Sequence, residues 1–493
     1  MTARARLSVD RQRRRGAIDP QIYGQFVEHV GRAVYGGIFD PDAPGAEEGR
    51  RADVLAAVGE LRPTVLRWPG GNFASGYHWR DGVGPVEQRP TRHDLAWDAV
   101  ETNRFGTEEL LAFTRAVGAA PYLNLNLSTG TADEALGWLE YTNGTADLPE
   151  VLLRRAGPHP EPHGVRLWGL GNENYGWWQH GHSGAAAYAE RAREWGKLLR
   201  WTDRSVRLVG VGAPDPDWNW TVLSDAGRFI DHLSLHFYWH GNLDDPYHSI
   251  LAGPLDAERD IEAAWGMCVA AQRKLGLQQP VTLAVDEWGV WAETYRPLVG
   301  TLSLDALMRS GFSARSGIDT HFEESYDLKD ALAVATWLHV LWRHPEKVTL
   351  ATQAQMVNVL APIMVTPHGV VRQTVFHPVA VARGCAGDVA VDAHVATDDA
   401  TGGMAVLDAA ATLDARSGRL HVSMVNRHRD EELEVTLPDL RGRARRITLW
   451  HESDAARNTA DAPSAVVPRC DDVDLDGALT LPPHSHVSLV LGG

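Results

Sequence analysis

Val165-Arg166-Leu167-Trp168-Gly169-Leu170-Gly171-Asn172-Glu173 begins apolar and closes on a carboxamide and a carboxylate. It runs on into Asn174-Tyr175-Gly176-Trp177-Trp178. An apolar run with a polar end is how a buried strand hands an acid to a site beyond its tip. Taken alone, an Asn-Glu pair there is more often a cap or a turn. A second stretch repeats the design: Val281-Thr282-Leu283-Ala284-Val285-Asp286-Glu287-Trp288-Gly289. Two strand-end glutamates are what glycoside hydrolysis requires, one as proton donor and the other as nucleophile or base.

Outward from these two, six more apolar runs share the form. The full set covers residues 22–28, 63–68, 120–127, 165–173, 207–212, 232–238, 281–288 and 348–353. Between them, apolar residues fall at helical spacing over 51–61, 107–118, 185–202, 256–275 and 328–343. Strands alternating with helices predict an α/β fold, a (β/α)8 TIM barrel over residues 16–375. Long loops at 69–106 and 289–326 are expected on its C-terminal face as substrate walls. Past residue 375 the helical period fades. Short alternating runs at 403–408, 420–426, 433–437, 446–451 and 485–491 predict a C-terminal antiparallel β-sandwich over 376–493. Residues 1–15, a strand with no helix beside it, are expected to join that sandwich.

Composition narrows the function classes. A net charge of −17 argues against nucleic acid or an anionic membrane surface as partner, because both need a basic face. It leaves a neutral sugar polymer open. No stretch approaches the roughly 18 apolar residues of a membrane span, and no signal peptide is read at the N-terminus. Cys268, Cys385 and Cys470 are too few and too scattered for a disulfide framework or a zinc pattern, which points to a reducing, cytoplasmic setting. The 18 tryptophans exceed the 11 tyrosines and 10 phenylalanines, and indole faces suit stacking on sugar C–H faces as well as filling a core.

In a barrel of this kind the reacting groups sit at the C-terminal strand ends. Those ends carry Glu28-His29, Arg67 to Asn72, Asn124 and Asn126, Asn172-Glu173, His236 to Trp239, Glu287-Trp288, and Gln353 with Gln355. Carboxylates and amides pair with neighbouring hydroxyls, and aromatics cover a ring face, so the set describes a hydroxyl-rich substrate. Glu28 reads either as a buried partner of Arg67 or as a sugar ligand. His236 reads as a core histidine or a site residue. His29, His232, His236 and His240 lie near strand ends, but they show neither His-x-His nor His-Glu-x-x-His spacing among themselves, so neither metal nor cofactor is expected. Because neighbouring carboxylates repel, one of Glu173 and Glu287 is expected to keep its proton at neutral pH and act as acid.

These residues bring a family into view. Gly24 to His29, Tyr35-Gly36-Gly37, Leu66 to Phe73, Trp97 with Glu101-Thr102-Asn103, Leu170 to Glu173, Ser234-Leu235-His236, Val285 to Trp288 and Gln355 to Asn358 together resemble the α-L-arabinofuranosidases of glycoside hydrolase family 51. The resemblance implies a retaining exo-hydrolase that frees terminal arabinofuranose from arabinan or arabinoxylan oligosaccharides. It makes Glu173 the acid/base and Glu287 the nucleophile. Glu28, Asn72, Trp97, Asn172, Tyr238 and Gln355 form the sugar-binding set, with Arg67 and His236 supporting the nucleophile. It further implies a cytoplasmic homo-hexamer with no required metal. Activity as a β-xylosidase or endo-glucanase on the same scaffold is the alternative, as is a non-catalytic arabino-oligosaccharide-binding protein. The last predicts loss of one glutamate, and both are present. Asn174-Tyr175-Gly176-Trp177-Trp178 departs from the family's usual Met-Asp-Gly-Pro-Trp, and Gly289-Val290-Trp291 from its Asn-Val-Trp.

Overall fold

The computed structural model describes residues 3–292 and 322–492. Most of the loop expected at 289–326 thus lies outside the described residues. Eight parallel strands close a barrel in chain order: Gly24–Phe26, Val65–Trp68, Ala120–Leu125, Leu167–Leu170, Arg207–Val211, His232–Trp239, Thr282–Val290 and Val348–Gln353. Val65, Tyr122, Leu167, Val209, Ala284 and Leu350, one from each of six strands, form a buried cluster of their own. Inward-pointing side chains of this kind fill a barrel and make it a core rather than a pore. That seals the barrel and leaves the strand ends as the place for chemistry.

The helix expected to begin at residue 256 starts ten residues earlier and spans Pro246–Leu275. Asp245 caps it by accepting from the His248 N–H, and Pro254 lies inside it. An internal proline reads in sequence as a stop, which is why the pattern divides there.

The helix Leu328–Arg343 is buried almost throughout, from Ala331 to Trp342. A helix apolar on every side must be covered on every side. It lies between the barrel helix Pro246–Leu275 and the sheet strands Leu407–Leu413 and Leu420–Asn426. Its one buried histidine ties the two halves together. His339 Nδ1 lies 2.7 Å from Asp408 Oδ2, and its Nε2 lies 2.7 Å from Ser423 Oγ. Asp408 also receives Arg343 at 3.1 Å and Arg427 at 3.2 Å, so its charge is compensated inside the joint.

Among the described residues nine further strands form one sheet, and three two-stranded pairs lie apart from it. The order of the nine is Arg469–Leu475, Gly442–Leu449, Ser485–Leu491, Leu420–Asn426, Leu407–Leu413, Val389–Ala396, Ala3–Ala17, Leu433–Thr436, Ala478–Leu481. Strands from both ends of that order share one apolar cluster, including Leu7, Leu433, Ala444, Leu475 and Leu481, so the sheet curls around its own core. The pairing is antiparallel except between Ala3–Ala17 and Leu433–Thr436, which run parallel. The strand expected at 403–408 instead runs Leu407–Leu413. All seven of its residues are buried, one face toward the sheet core and the other toward Leu328–Arg343, so it lacks the alternation that marks a half-exposed strand. The change of rhythm read at residue 375 falls on a helix, Phe376–Cys385, which packs on the barrel helices Ala52–Leu61 and Leu328–Arg343. Among the described residues no helix is long and apolar enough to cross a membrane.

Candidate active site

Six strand ends, with the loops that follow them, deliver the ten singled-out side chains to one place. The nucleus is Arg67, at the end of the second strand and 1% exposed. Its Nη1 donates to Glu287 Oε1 at 2.7 Å, its Nη2 donates to Asn172 Oδ1 at 2.7 Å, and its Nε lies 3.4 Å from Asp286 Oδ2. A planar guanidinium can hold three acceptors in fixed directions, so one residue aligns the ends of the fourth and seventh strands. The other oxygen of Glu287 accepts from Tyr238 Oη at 2.7 Å. Asn172 is thereby a partner of Arg67, and its Nδ2 donates onward to Asn72 Oδ1 at 3.4 Å. Gln179 Nε2 donates to the same Asn72 oxygen at 2.5 Å.

Glu28 is not the partner of Arg67. Its Oε1 accepts from the Phe73 N–H at 2.9 Å and from Trp97 Nε1 at 3.0 Å, and its Oε2 accepts from Gln355 Nε2 at 3.1 Å. Gln355 closes the loop by accepting from the Glu28 N–H at 2.8 Å. The double glycine has its reason here. A Cβ at Gly71 would lie 2.3 Å from Glu28 Oε2, so only glycine lets the loop pass against that carboxyl. Burial, then the charge of Glu287, pushes the Glu28 carboxyl up to about 8. Behind it His29 is braced by Glu101 at 2.7 Å and accepts from Trp68 Nε1 at 3.0 Å.

Glu173 sits on a left-handed backbone, with φ 43°. A side chain in that region is uncommon and is held by its surroundings. Gly171 before it has φ 90°, and a Cβ there would lie 2.3 Å from Asn174 Oδ1. The turn aims the carboxylate at three groups. Trp178 Nε1 donates to Oε2 at 2.7 Å, Tyr175 Oη donates to Oε1 at 3.3 Å, and His236 Nδ1 lies 2.9 Å from Oε1. Burial alone would raise the Glu173 carboxyl, but His236, Trp178 and Tyr175 hold it below its ordinary value. The expectation that one of the two glutamates keeps its proton therefore does not describe Glu173 at rest. Burial alone would likewise discharge His236, but Glu287, Asp286 and Glu173 around it hold it up at about 10.

Other contributors lie outside the singled-out residues. Asp286 accepts from Ser234 Oγ at 2.5 Å and from Tyr122 Oη at 2.7 Å. Burial would raise its carboxyl, yet Arg67, His236 and Ser234 hold it well below the carboxylate range. Strict alternation would put Asp286 and Glu287 on opposite faces of the seventh strand. The pairings slip in register between Ala284 and Glu287 and between Val285 and Trp288, which turns both inward. In the sequence Tyr175 is legible only as a departure from a pattern and Trp178 as a residue that keeps it, and neither shows a hold on Glu173.

One oxygen of Glu173, one of Glu287 and a ring nitrogen of His236 lie within 4.8 Å of one another. Such a group can bind a metal ion, but here the carboxylate oxygens are engaged by Arg67, Tyr238, Trp178 and His236. Arg67 and His236 supply the positive charge a metal would bring, so the cluster is a hydrogen-bonded charge network. Two carboxylates this close, with amides, an indole and a tyrosine beside them, can attack and protonate one acetal while holding its hydroxyls.

Several known proteins are similar to this chain over most of its length. A family model described as α-L-arabinofuranosidase 1 domain matches residues 57–248, and one described as α-L-arabinofuranosidase C-terminal domain matches residues 286–485. Alpha-L-arabinofuranosidase C of Emericella nidulans is 37% identical over 480 residues, covering 92% of this chain and 90% of that protein. Intracellular exo-alpha-(1->5)-L-arabinofuranosidase of Streptomyces lividans is 39% identical over 497 residues, covering 97% of this chain and 73% of that protein. The crystal structure of an arabinose complex of α-L-arabinofuranosidase from Thermotoga maritima superposes with a TM-score of 0.89 at 35% identity, covering 99% of this chain and 100% of that one.

Proposed function

The chain belongs to the α-L-arabinofuranosidases of glycoside hydrolase family 51, and from that premise we propose that it removes terminal arabinofuranosyl groups by a retaining, exo-acting double displacement. Glu287 is the nucleophile and Glu173 the acid/base. The observation that carries this reading is the approach of the two carboxylates, with an oxygen of each within 4.8 Å. Retaining enzymes need about 5–5.5 Å between the carboxyl groups, whereas inverting ones need roughly 6.5–9.5 Å to seat a water.

In the first step a Glu287 oxygen attacks the anomeric carbon while Glu173 protonates the departing oxygen. Arg67 and Tyr238 fix the attacking carboxylate, which removes the need to order it on each turnover. In the second step Glu173 deprotonates a water that releases the sugar. Glu28, Asn72, Asn172 and Gln355 line up donors and acceptors for the furanose hydroxyls, with Trp97 over the pocket beside them. The substrates are arabinan- or arabinoxylan-derived oligosaccharides. A cytoplasmic location is supported by the intracellular Streptomyces lividans relative and by three unpaired cysteines. A hexamer follows from the family resemblance alone.

The test is Glu173→Ala. Loss of general acid catalysis should lower kcat/KM about 10³-fold on alkyl arabinofuranosides and arabino-oligosaccharides. Dinitrophenyl arabinofuranoside, whose leaving group departs without a proton, should keep a first step close to that of the parent enzyme. Equal losses on both substrates would sink the assignment.

A further inference from the structure

His236 stands between the two glutamates in a way that positioning the nucleophile does not require. Its Nδ1 is 2.9 Å from Glu173 Oε1 and 3.6 Å from Glu287 Oε2, while its Nε2 is 3.4 Å from Asp286 Oδ1. One buried ring thus faces three carboxyl groups on two strand ends, and among the described residues Arg67 is the other cation paired with them. Asp286 is held as a carboxylate by Arg67, Ser234 and Tyr122. At Glu173 the Trp178 indole can only donate, and Tyr175 points its hydroxyl at the oxygen that His236 also engages. Both oxygens of Glu173 are therefore arranged to receive protons from neighbours.

We propose that the proton destined for the leaving group rests on His236 Nδ1, with Glu173 ionised, so that His236 is the proton-holding partner of the acid/base. This rests on the roles proposed above for Glu173 and Glu287. As Glu287 bonds to the anomeric carbon, His236 passes its Nδ1 proton to Glu173. The Glu173 carboxyl passes a proton to the glycosidic oxygen, which leaves as an alcohol with the electron pair of the broken C–O bond. The imidazolium becomes neutral and Glu287 becomes an uncharged ester. In the second step a water proton goes to Glu173 and on to Nδ1, the hydroxide bonds to the anomeric carbon, and the ester's electron pair returns to Glu287.

The coupling has a physical cause. While Glu287 is charged it holds the proton on the ring. Once Glu287 is esterified that attraction is gone, and the proton moves to Glu173 as the leaving oxygen needs it.

Neutron crystallography of the full-length enzyme without substrate, near neutral pD, tests this. Deuterium is expected on both ring nitrogens of His236 and absent from the Glu173 carboxylate. A neutral ring beside a deuterated Glu173 would overturn the proposal. His236→Asn supplies a kinetic readout that mere positioning would not move. It should lose about 100-fold in kcat/KM on alkyl arabinofuranosides and less than about 10-fold on the dinitrophenyl glycoside. Equal losses on the two would also overturn it. If Glu173→Ala shows its leaving-group split while His236 is found neutral, only the role of His236 falls. If Glu173→Ala shows no split, the underlying assignment falls with it.

Discussion

Glu287→Ala should turn over arabinofuranosides about 10⁴-fold or more slowly than the parent enzyme. The carboxylate it removes is the one fixed from both sides, by Arg67 Nη1 at 2.7 Å and by Tyr238 Oη at 2.7 Å. Water entering the vacancy would be a weaker nucleophile and would lack that alignment. The loss should extend to activated aryl glycosides, because no leaving group compensates for an absent nucleophile. This separates it from Glu173→Ala. The fold should survive, since Arg67 keeps Asp286 and Asn172 as partners. Hydrolysis rates on the alkyl and dinitrophenyl arabinofuranosides, with circular dichroism to confirm folding, check the outcome. Near-parental turnover by a folded variant would remove Glu287 from the mechanism.

Arg67→Met should cost about 3–5 kcal/mol of stability, the usual penalty for leaving buried charges without their counter-ion. Arg67 is 1% exposed and faces Asp286 and Glu287, which are themselves buried, so methionine fills the space but supplies none of the charge. The effect has a definite pH dependence. Asp286 is held below its unfolded value of about 3.9, so its ion pair contributes stability above that pH and loses it as pH falls through and below it. The deficit of Arg67→Met should be largest at neutral pH and shrink below about pH 4. Urea denaturation midpoints on either side of that pH measure it. A deficit that does not change with pH would show that lost packing, not charge, sets the cost.

The barrel is legible because a buried parallel strand leaves a simple trace, a short apolar run with a polar end. The strand Val348–Gln353 has the bounds its apolar run marks, and Val65–Trp68 lies within two residues of them. Where structure and sequence pattern part, tertiary contact overrides a local rule. Leu407–Leu413 loses its alternation because a helix covers its second face. Pro246–Leu275 reads short because Pro254 is tolerated inside it.

The site divides in the same way. The strand-end residues are visible as chemistry at predicted ends. Asp286 is not, because the register slips that turn it inward leave no mark in a sequence read at period two. The clasp of Tyr175 and Trp178 on Glu173 depends on the left-handed turn at that glutamate. No propensity announces such a turn for a glutamate. Through that clasp, the short segment after Glu173 grips the carboxylate proposed as acid/base.

The configuration of the first-formed sugar tests the double displacement most directly. Proton NMR during the first turnovers of an α-L-arabinofuranoside, before mutarotation, should show the α anomer appearing first, since two successive inversions at the anomeric carbon restore its configuration. The β anomer appearing first would mean a single displacement by water, and Glu287 would then not be a nucleophile.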